Sequence, residues 1–433
     1  MTKPCNIATE WHNSTVMVPY PYIARSLEPT LRRAVEQFPA VLLTGPRQSG
    51  KTTLLRRALA DTHAYVSLEA PDVRASATAD PRGFLGLHQP PVILDEIQNT
   101  PLLLPYIQER IDEHRDRRGQ YVLTGSQNVL VGAGVTESLA GRVALLRLLP
   151  LSLRELAGEP DRLLPWESRA IADEQAAGER AVPDPAVVAP GIWATLVRGL
   201  YPQLVAEPDL DSGLWHDGYI GTYLERDVRA ITQVGDLVQF QLFVQTLAGR
   251  SAQLLNLSAI SRDLGIGVNT AKRWLSVLEA TFQVVVLRPY HTNIGKRLVK
   301  APKIYFVDPG TLCHLVGLRD ATVAARGPLA GALVETLVIS ELVKAASHRG
   351  EVPRLHFWRT ATGVEVDALV ESSGLQVPVE VKASATAAPG MAKGIRRLRA
   401  DLPGAVSSGY VAYTGDRRLP LGDGDIALPV GEL

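Results

Sequence analysis

The sequence predicts an α/β chain in three parts. A nucleotide-binding domain with a parallel sheet comes first, then a winged-helix middle region, then a C-terminal α/β domain of nuclease-like pattern. Three stretches predict it. Val41–Thr53 runs from an apolar strand pattern into G-x-x-x-x-G-K-T; Leu257–Glu279 is two helical patterns around a glycine turn; Val364–Lys382 holds strands carrying E-V-D and E-V-K.

The first stretch is the anchor. Val41–Leu43 reads as a buried strand, and Leu54, Leu55, Ala58 and Leu59 follow at helical spacing. That strand–loop–helix context is what a phosphate loop requires. Backbone N–H groups and a helix N-terminus make an anion site there. The whole loop, Gly45, Pro46, Arg47, Gln48, Ser49, Gly50, Lys51, Thr52 and Thr53, is therefore expected to bind ATP. Lys51 would reach the β/γ-phosphates, and the Thr52 hydroxyl would ligate Mg2+.

Two further strand patterns end in polar groups. Val92–Leu94 leads into Asp95-Glu96, with Asp95 placed as a metal ligand and Glu96 as the residue that orients or deprotonates a water. Tyr121–Leu123 leads to Ser126, a candidate γ-phosphate contact. Arg142, at the edge of this domain, is a candidate transition-state cation reaching a neighbouring subunit, which would make the protein a homo-oligomer. The alternative for Arg142 is a surface ion pair.

The 433 residues are apportioned as follows: 1–20, a flexible N-terminus; 21–157, the nucleotide domain; 158–190, rich in alanine, glycine, proline and acidic charge, a linker or disordered insertion; 191–330, the helical and winged-helix region; 331–433, the nuclease-like domain. No apolar run is long enough to span a membrane. Two cysteines far apart make neither a disulfide framework nor a zinc site, which favours a reducing cytoplasm. Formal net charge is zero, so any nucleic-acid contact must come from local patches.

One such patch is in the middle region. Ser258 and Asn269 are expected N-caps of the two helices, and Ile260, Leu264, Ala271, Leu275 and Leu278 their core. Asn269, Thr270, Lys272 and Arg273 would then face outward, as in a DNA-reading helix-turn-helix. Two strand patterns follow, joined by a basic loop with Lys296, Arg297 and Lys300, which would complete a winged helix on double-stranded DNA. A protein-binding winged helix is the competing reading.

In the last hundred residues Glu380 and Lys382 alternate on one strand, so they share a face. Asp367 sits one strand earlier, and Glu335 on the helix before. Glu335, Asp367 and Glu380 are the candidate ligands for Mg2+ or Mn2+, with Asp367, Glu380 and Lys382 the candidate catalytic group for a phosphodiester.

As an ordered set these segments resemble a bacterial and archaeal family of ATPases related to the AAA+ class. The likeness rests on Gly45–Thr53, Leu94–Gln98, Leu123–Ser126, Ser138–Arg142, Tyr223–Val228, Val364–Asp367 and Val379–Lys382. It implies an AAA+-like P-loop ATPase, a winged-helix middle region and a C-terminal domain similar to PD-(D/E)XK nucleases. Val366 stands where such nucleases carry a proline. Two functions are compatible with the sequence: an ATPase coupled to DNA binding and cutting, or a nucleotide switch whose other regions bind protein partners.

Overall fold

In the computed structural model the described residues are 22–126, 139–167, 191–223, 237–291 and 301–433. The first sheet has five parallel strands: β1 (Ala40–Thr44), β2 (Ala64–Ser67), β3 (Val92–Asp95), β4 (Tyr121–Gly125) and β5 (Val143–Arg147). Their order is β2-β3-β4-β1-β5. β1 and β4 are buried throughout, as near-continuous apolar strands covered on both faces should be. Side chains alternate between two cores. Val41 and Leu43 meet Leu27, Leu31, Leu54 and Leu55 on one side; Ala40 and Leu42 meet Leu103, Leu104, Ile107 and Ile111 on the other. Because the strands are parallel, Thr44, Asp95 and Gly125 finish at one edge, where ligands of such sheets bind.

In the middle region two helices, Leu257–Leu264 and Val268–Ala280, are joined through Gly265, whose φ of +68° ends the first. The caps differ from expectation. Asn256 accepts the Ala259 N–H at 3.0 Å, and Gly267 holds the second N-cap position. Asn256 wins because the helix starts two residues earlier than the apolar spacing suggests. β6 (Val284–Leu287) and β7 (Lys303–Phe306) form an antiparallel pair after these helices. Trp274 packs edge-on against Phe240 and Phe243, with centroids 5.4 and 5.5 Å away.

The C-terminal part opens with the Ala330–Ser347 helix and continues through β8 (Leu355–Arg359), β9 (Glu365–Ser372) and β10 (Leu375–Lys382) as an antiparallel meander. The Lys393–Asp401 helix then crosses to β11 (Tyr410–Tyr413), parallel to β10. β12 (Leu419–Gly422) and β13 (Asp425–Pro429) complete a sheet of order β12-β13-β11-β10-β9-β8.

Packing crosses two of the expected domain limits. One hydrophobic cluster runs from Leu151 through Trp274 and Leu337 to Leu433, so the two regions on either side of residue 330 share a core. Part of the expected linker is packed. Leu164 is 2% exposed, Trp166 lies against the same cluster, and Arg162 donates to the Gly431 carbonyl at 3.0 Å. Two large apolar residues and a few polar contacts dock that segment despite its composition. The remainder, 168–190, lies outside the described residues, as do 1–21.

Candidate functional site

The edge formed by β1, β3 and β4 gathers the expected nucleotide ligands. Gly45, at φ +151°, admits no side chain: a Cβ there would lie 2.0 Å from the Leu148 carbonyl oxygen. Gly50, at φ +91°, turns the loop into the Lys51–Leu59 helix. Lys51 is buried, and its Nζ donates to the Gly45 and Pro46 carbonyls at 3.0 and 2.9 Å. Thr52 Oγ1 donates to Asp95 Oδ2 at 2.9 Å. Asp95 also accepts from Thr124 Oγ1, and from Tyr65 on the neighbouring strand. Glu96 follows at φ +60°, left-handed backbone uncommon outside glycine. Its N–H donates to Thr124 Oγ1 at 2.9 Å. Gln98 Nε2 joins the Glu96 carboxylate to Ser126 Oγ, the latter at 3.2 Å. Gln98 and Thr124 lie within the motif stretches, but the sequence assigned neither its part in positioning Glu96 and Asp95.

Arg25 was missed as well, with no motif to mark it. Its guanidinium donates to Ser49 O in the phosphate loop and to Leu149 O, both at 2.7 Å, and stands 3.1 Å from Glu155. Glu155 is 1% exposed and lies 3.2 Å from His348 Nδ1, at the end of the Ala330–Ser347 helix. Burial pushes the Glu155 carboxyl up. Arg25, His348 and the Ser152 amide outweigh it and hold the group well below the usual carboxylate range. Burial lowers the His348 imidazole, so it stays neutral. Its Nε2 accepts the Leu149 N–H at 3.1 Å, which leaves the Nδ1 proton facing Glu155.

Arg142 departs from expectation. It lies beside Val143, which pairs with Ala40 at the start of β1, the end of the sheet away from the phosphate loop. Its guanidinium grips Asp112 with two bonds of 2.9 and 2.8 Å. The surface ion pair is therefore the observed state, because a fork-shaped donor meets a carboxylate of matching geometry.

On the Val268–Ala280 helix Asn269, Lys272 and Arg273 are exposed and Thr270 is half-buried, while Ala271, Leu275 and Leu278 face the core. Lys296, Arg297 and Lys300 lie outside the described residues.

The C-terminal carboxylates form a second cluster. Continuing the Val379↔Ala368 register by one step sets Glu380 opposite Asp367. Both are buried, at 8% and 9% exposure, an arrangement of like charges that destabilises a sheet. Asp367 Oδ2 accepts the Val381 N–H at 2.8 Å, and Lys382 Nζ donates to Glu380 Oε1 at 2.6 Å. Burial first, then the Asp367 charge, pushes Glu380 up to about 8 and Glu335 up to about 7. Oxygens of Glu335, Glu365 and Asp367 lie within 4.8 Å of one another, with Glu380 outside that group. Glu365 was missed, though its spacing from Asp367 repeats that of Glu380 and Lys382. Lys303 was missed too: its Nζ is 2.8 Å from Glu335 Oε1, 3.7 Å from Asp367 Oδ1 and in contact with Glu365.

Residues 37–157 match an AAA domain, so the five-stranded sheet with its phosphate loop is a P-loop ATPase domain. Over 416 residues the chain is 32% identical to the uncharacterized protein Rv2008c of Mycobacterium tuberculosis (strain ATCC 25618 / H37Rv), covering 93% of this chain and 82% of the relative. The chain belongs to its family. The uncharacterized protein Mb2031c of Mycobacterium bovis (strain ATCC BAA-935 / AF2122/97) matches to the same extent, 32% over 416 residues with 93% and 82% covered. In this family member residues 190–322 match a domain of unknown function, DUF8612, and residues 330–433 another, DUF4143. Among solved structures it is similar to the Walker-type ATPase paby2304 of Pyrococcus abyssi, at 16% identity, 68% and 96% coverage and a TM-score of 0.42. Among the described residues no helix is long and apolar enough to cross a membrane.

Proposed function

We propose that this ATPase is Mg2+-dependent and acts on double-stranded DNA. Its nucleotide domain would be coupled to a winged-helix DNA-binding region and to a C-terminal nuclease unit of the PD-(D/E)XK kind. The observation that carries the DNA-cutting part is the buried pair Asp367 and Glu380 facing each other across β9 and β10, with Lys382 on Glu380. Unpaired buried charge is costly and paired charge adds little, so stability alone is a poor reason for this grouping.

At the first site the residues fit a magnesium nucleotide. Gly45 and Gly50 take the positive-φ backbone that bends the loop into the helix N-terminus, and Thr52 and Asp95 bring two oxygens together. A bound Mg-nucleotide would supply the phosphoanhydride bond to be cleaved. Thr52 and Asp95 would hold the ion, and Lys51 would turn from the Gly45 and Pro46 carbonyls to phosphate oxygens. Glu96, steadied by Gln98 and Ser126, would accept the proton of the attacking water.

At the second site the donors are all carboxylate oxygens, which suits Mg2+ or Mn2+. Of the expected ligands Glu335 and Asp367, joined by Glu365 in place of Glu380, would hold such an ion, whose charge would offset that of a phosphodiester. Lys382 would orient the water. The Val268–Ala280 helix would present Asn269, Thr270, Lys272 and Arg273 to the duplex, and Lys296, Arg297 and Lys300 would add contacts from the adjoining loop.

A second reading has one observation in its favour. Lys303 already neutralises part of the carboxylate cluster, as in an inert fold. On that reading the chain is a nucleotide switch whose middle and C-terminal regions bind protein partners. Incubating purified protein with plasmid, ATP and Mg2+ or Mn2+ separates the two. Nicking or linearisation that disappears in Asp367→Ala and Lys382→Ala supports the nuclease; intact plasmid under every metal and nucleotide condition refutes it.

A further inference from the structure

Lys303 opens β7 and is 3% exposed. Its backbone belongs to the middle region. It pairs with Leu287 in β6 and bridges to Leu254, while Ala252 N–H and Leu255 N–H donate to Ile304 O and Pro302 O, each at 2.8 Å. Its ammonium, however, sits among Glu335 of the Ala330–Ser347 helix and Glu365 and Asp367 of β9. A residue of one region thus closes the carboxylate cluster of the next.

We infer that Lys303 and a divalent cation compete for this one space, so that loading the C-terminal site requires Lys303 to withdraw. The inference rests on reading the cluster as a divalent-ion site. Coordination capacity supports it. An ammonium has three N–H donors, and here they face three carboxylates. The fourth, Glu380, keeps its Oε2 buried and without a hydrogen-bond partner. The Lys393–Asp401 helix passes close to that oxygen, since a Cβ on Gly394 would lie 3.2 Å from it. A buried acceptor left unpaired is costly. A divalent ion takes six or more oxygens and carries twice the charge, so in the space Lys303 fills it would draw on Glu335, Glu365 and Asp367 more strongly than one ammonium does. Lys303 thus occupies the space such an ion would need. Loading is thereby tied to the position of β7, which is anchored in the helix–turn–helix region.

The test uses nucleotide-free full-length protein and Mn2+, with binding followed by electron paramagnetic resonance. Lys303→Met should bind Mn2+ about tenfold or more tightly than wild type, and Lys303→Met/Asp367→Asn should lose the gain. A measurement on wild type guards against misfolding of the variant. Reductive methylation of Lys303, read by peptide mass spectrometry, should rise when Mn2+ is added. Asp367-dependent Mn2+ binding that Lys303→Met does not strengthen, with Lys303 reactivity unchanged by Mn2+, overturns the competition and leaves the ion site standing. No Asp367-dependent Mn2+ binding in either protein overturns both.

Discussion

Thr52 Oγ1 and Asp95 Oδ2 meet at 2.9 Å, although their segments are separated in the sheet by β4. The meeting follows from parallel strands that all end at one edge. Thr44 leads into the loop before Thr52, and Asp95 closes β3 beside β4. Thr124 of the intervening strand holds the other Asp95 oxygen. The carboxylate is therefore aimed before any ligand arrives, a geometry that costs nothing further when charge is brought to it.

Lys51→Ala should weaken ATP binding by about 1.5–3 kcal/mol, roughly 10- to 150-fold, the range for hydrogen bonds to charged groups. Titration with a fluorescent ATP analogue checks this. Unchanged affinity would mean that Lys51 does not contact phosphate.

Gly45→Ala places its Cβ 2.0 Å from a backbone oxygen, so the loop or Leu148 must move. It should destabilise the protein by about 1–3 kcal/mol, the range for overpacking, and weaken nucleotide binding. Denaturant melts with and without ATP give both quantities. A variant as stable and as tightly bound as wild type would show that the loop is not held against Leu148.

How much of this was legible in the sequence depended on distance along the chain. The phosphate loop, the strand ending in Asp95 and the helix–turn–helix are local patterns, readable from residues a few positions apart. Arg25 with Leu149, Arg142 with Asp112 and Lys303 with Glu335 join residues 124, 30 and 32 positions apart. No periodicity marks such pairs. Lys303 read only as the first residue of a strand, and its burial became visible once that strand packed on the Ala330–Ser347 helix. Glu365 was within reach, because its side chain shares a strand face with Asp367 by simple alternation. The docked segment near Leu164 misled for another reason: composition averages over a stretch, whereas docking there uses a few residues, Leu164 and Trp166 in the core and Arg162 and Glu167 in polar contacts.

Replacing both Lys272 and Arg273 with alanine should weaken duplex binding and reduce the slope of log affinity against log salt by roughly two, about 0.9 for each phosphate no longer neutralised. Fluorescence anisotropy across a salt series reads both. An unaltered slope would assign this helix to a protein partner.

His348 predicts acid sensitivity. Its unfolded pKa is about 6.5, and burial lowers it in the folded protein. Below that value the unfolded chain binds the proton and the folded one does not, so stability is lost as pH falls. Glu155, Arg25 and Lys344 face the ring. Glu155, depressed in the fold, acts in the same direction only nearer its unfolded value of about 4.3. Between pH 7.5 and 5.5 wild type should therefore lose more stability than His348→Gln does. Equal losses in urea melts would show that His348 is protonated in the fold.

The most direct test of the ATPase mechanism is turnover by Glu96→Gln beside wild type, with nucleotide affinity measured on the same samples. The substitution keeps the side chain's shape and its neighbours Gln98 and Ser126 but removes the proton acceptor. Affinity for Mg-ATP should be unchanged and turnover slower by about 10²- to 10⁴-fold, the usual contribution of a positioned base. Turnover at the wild-type rate would contradict the role given to Glu96.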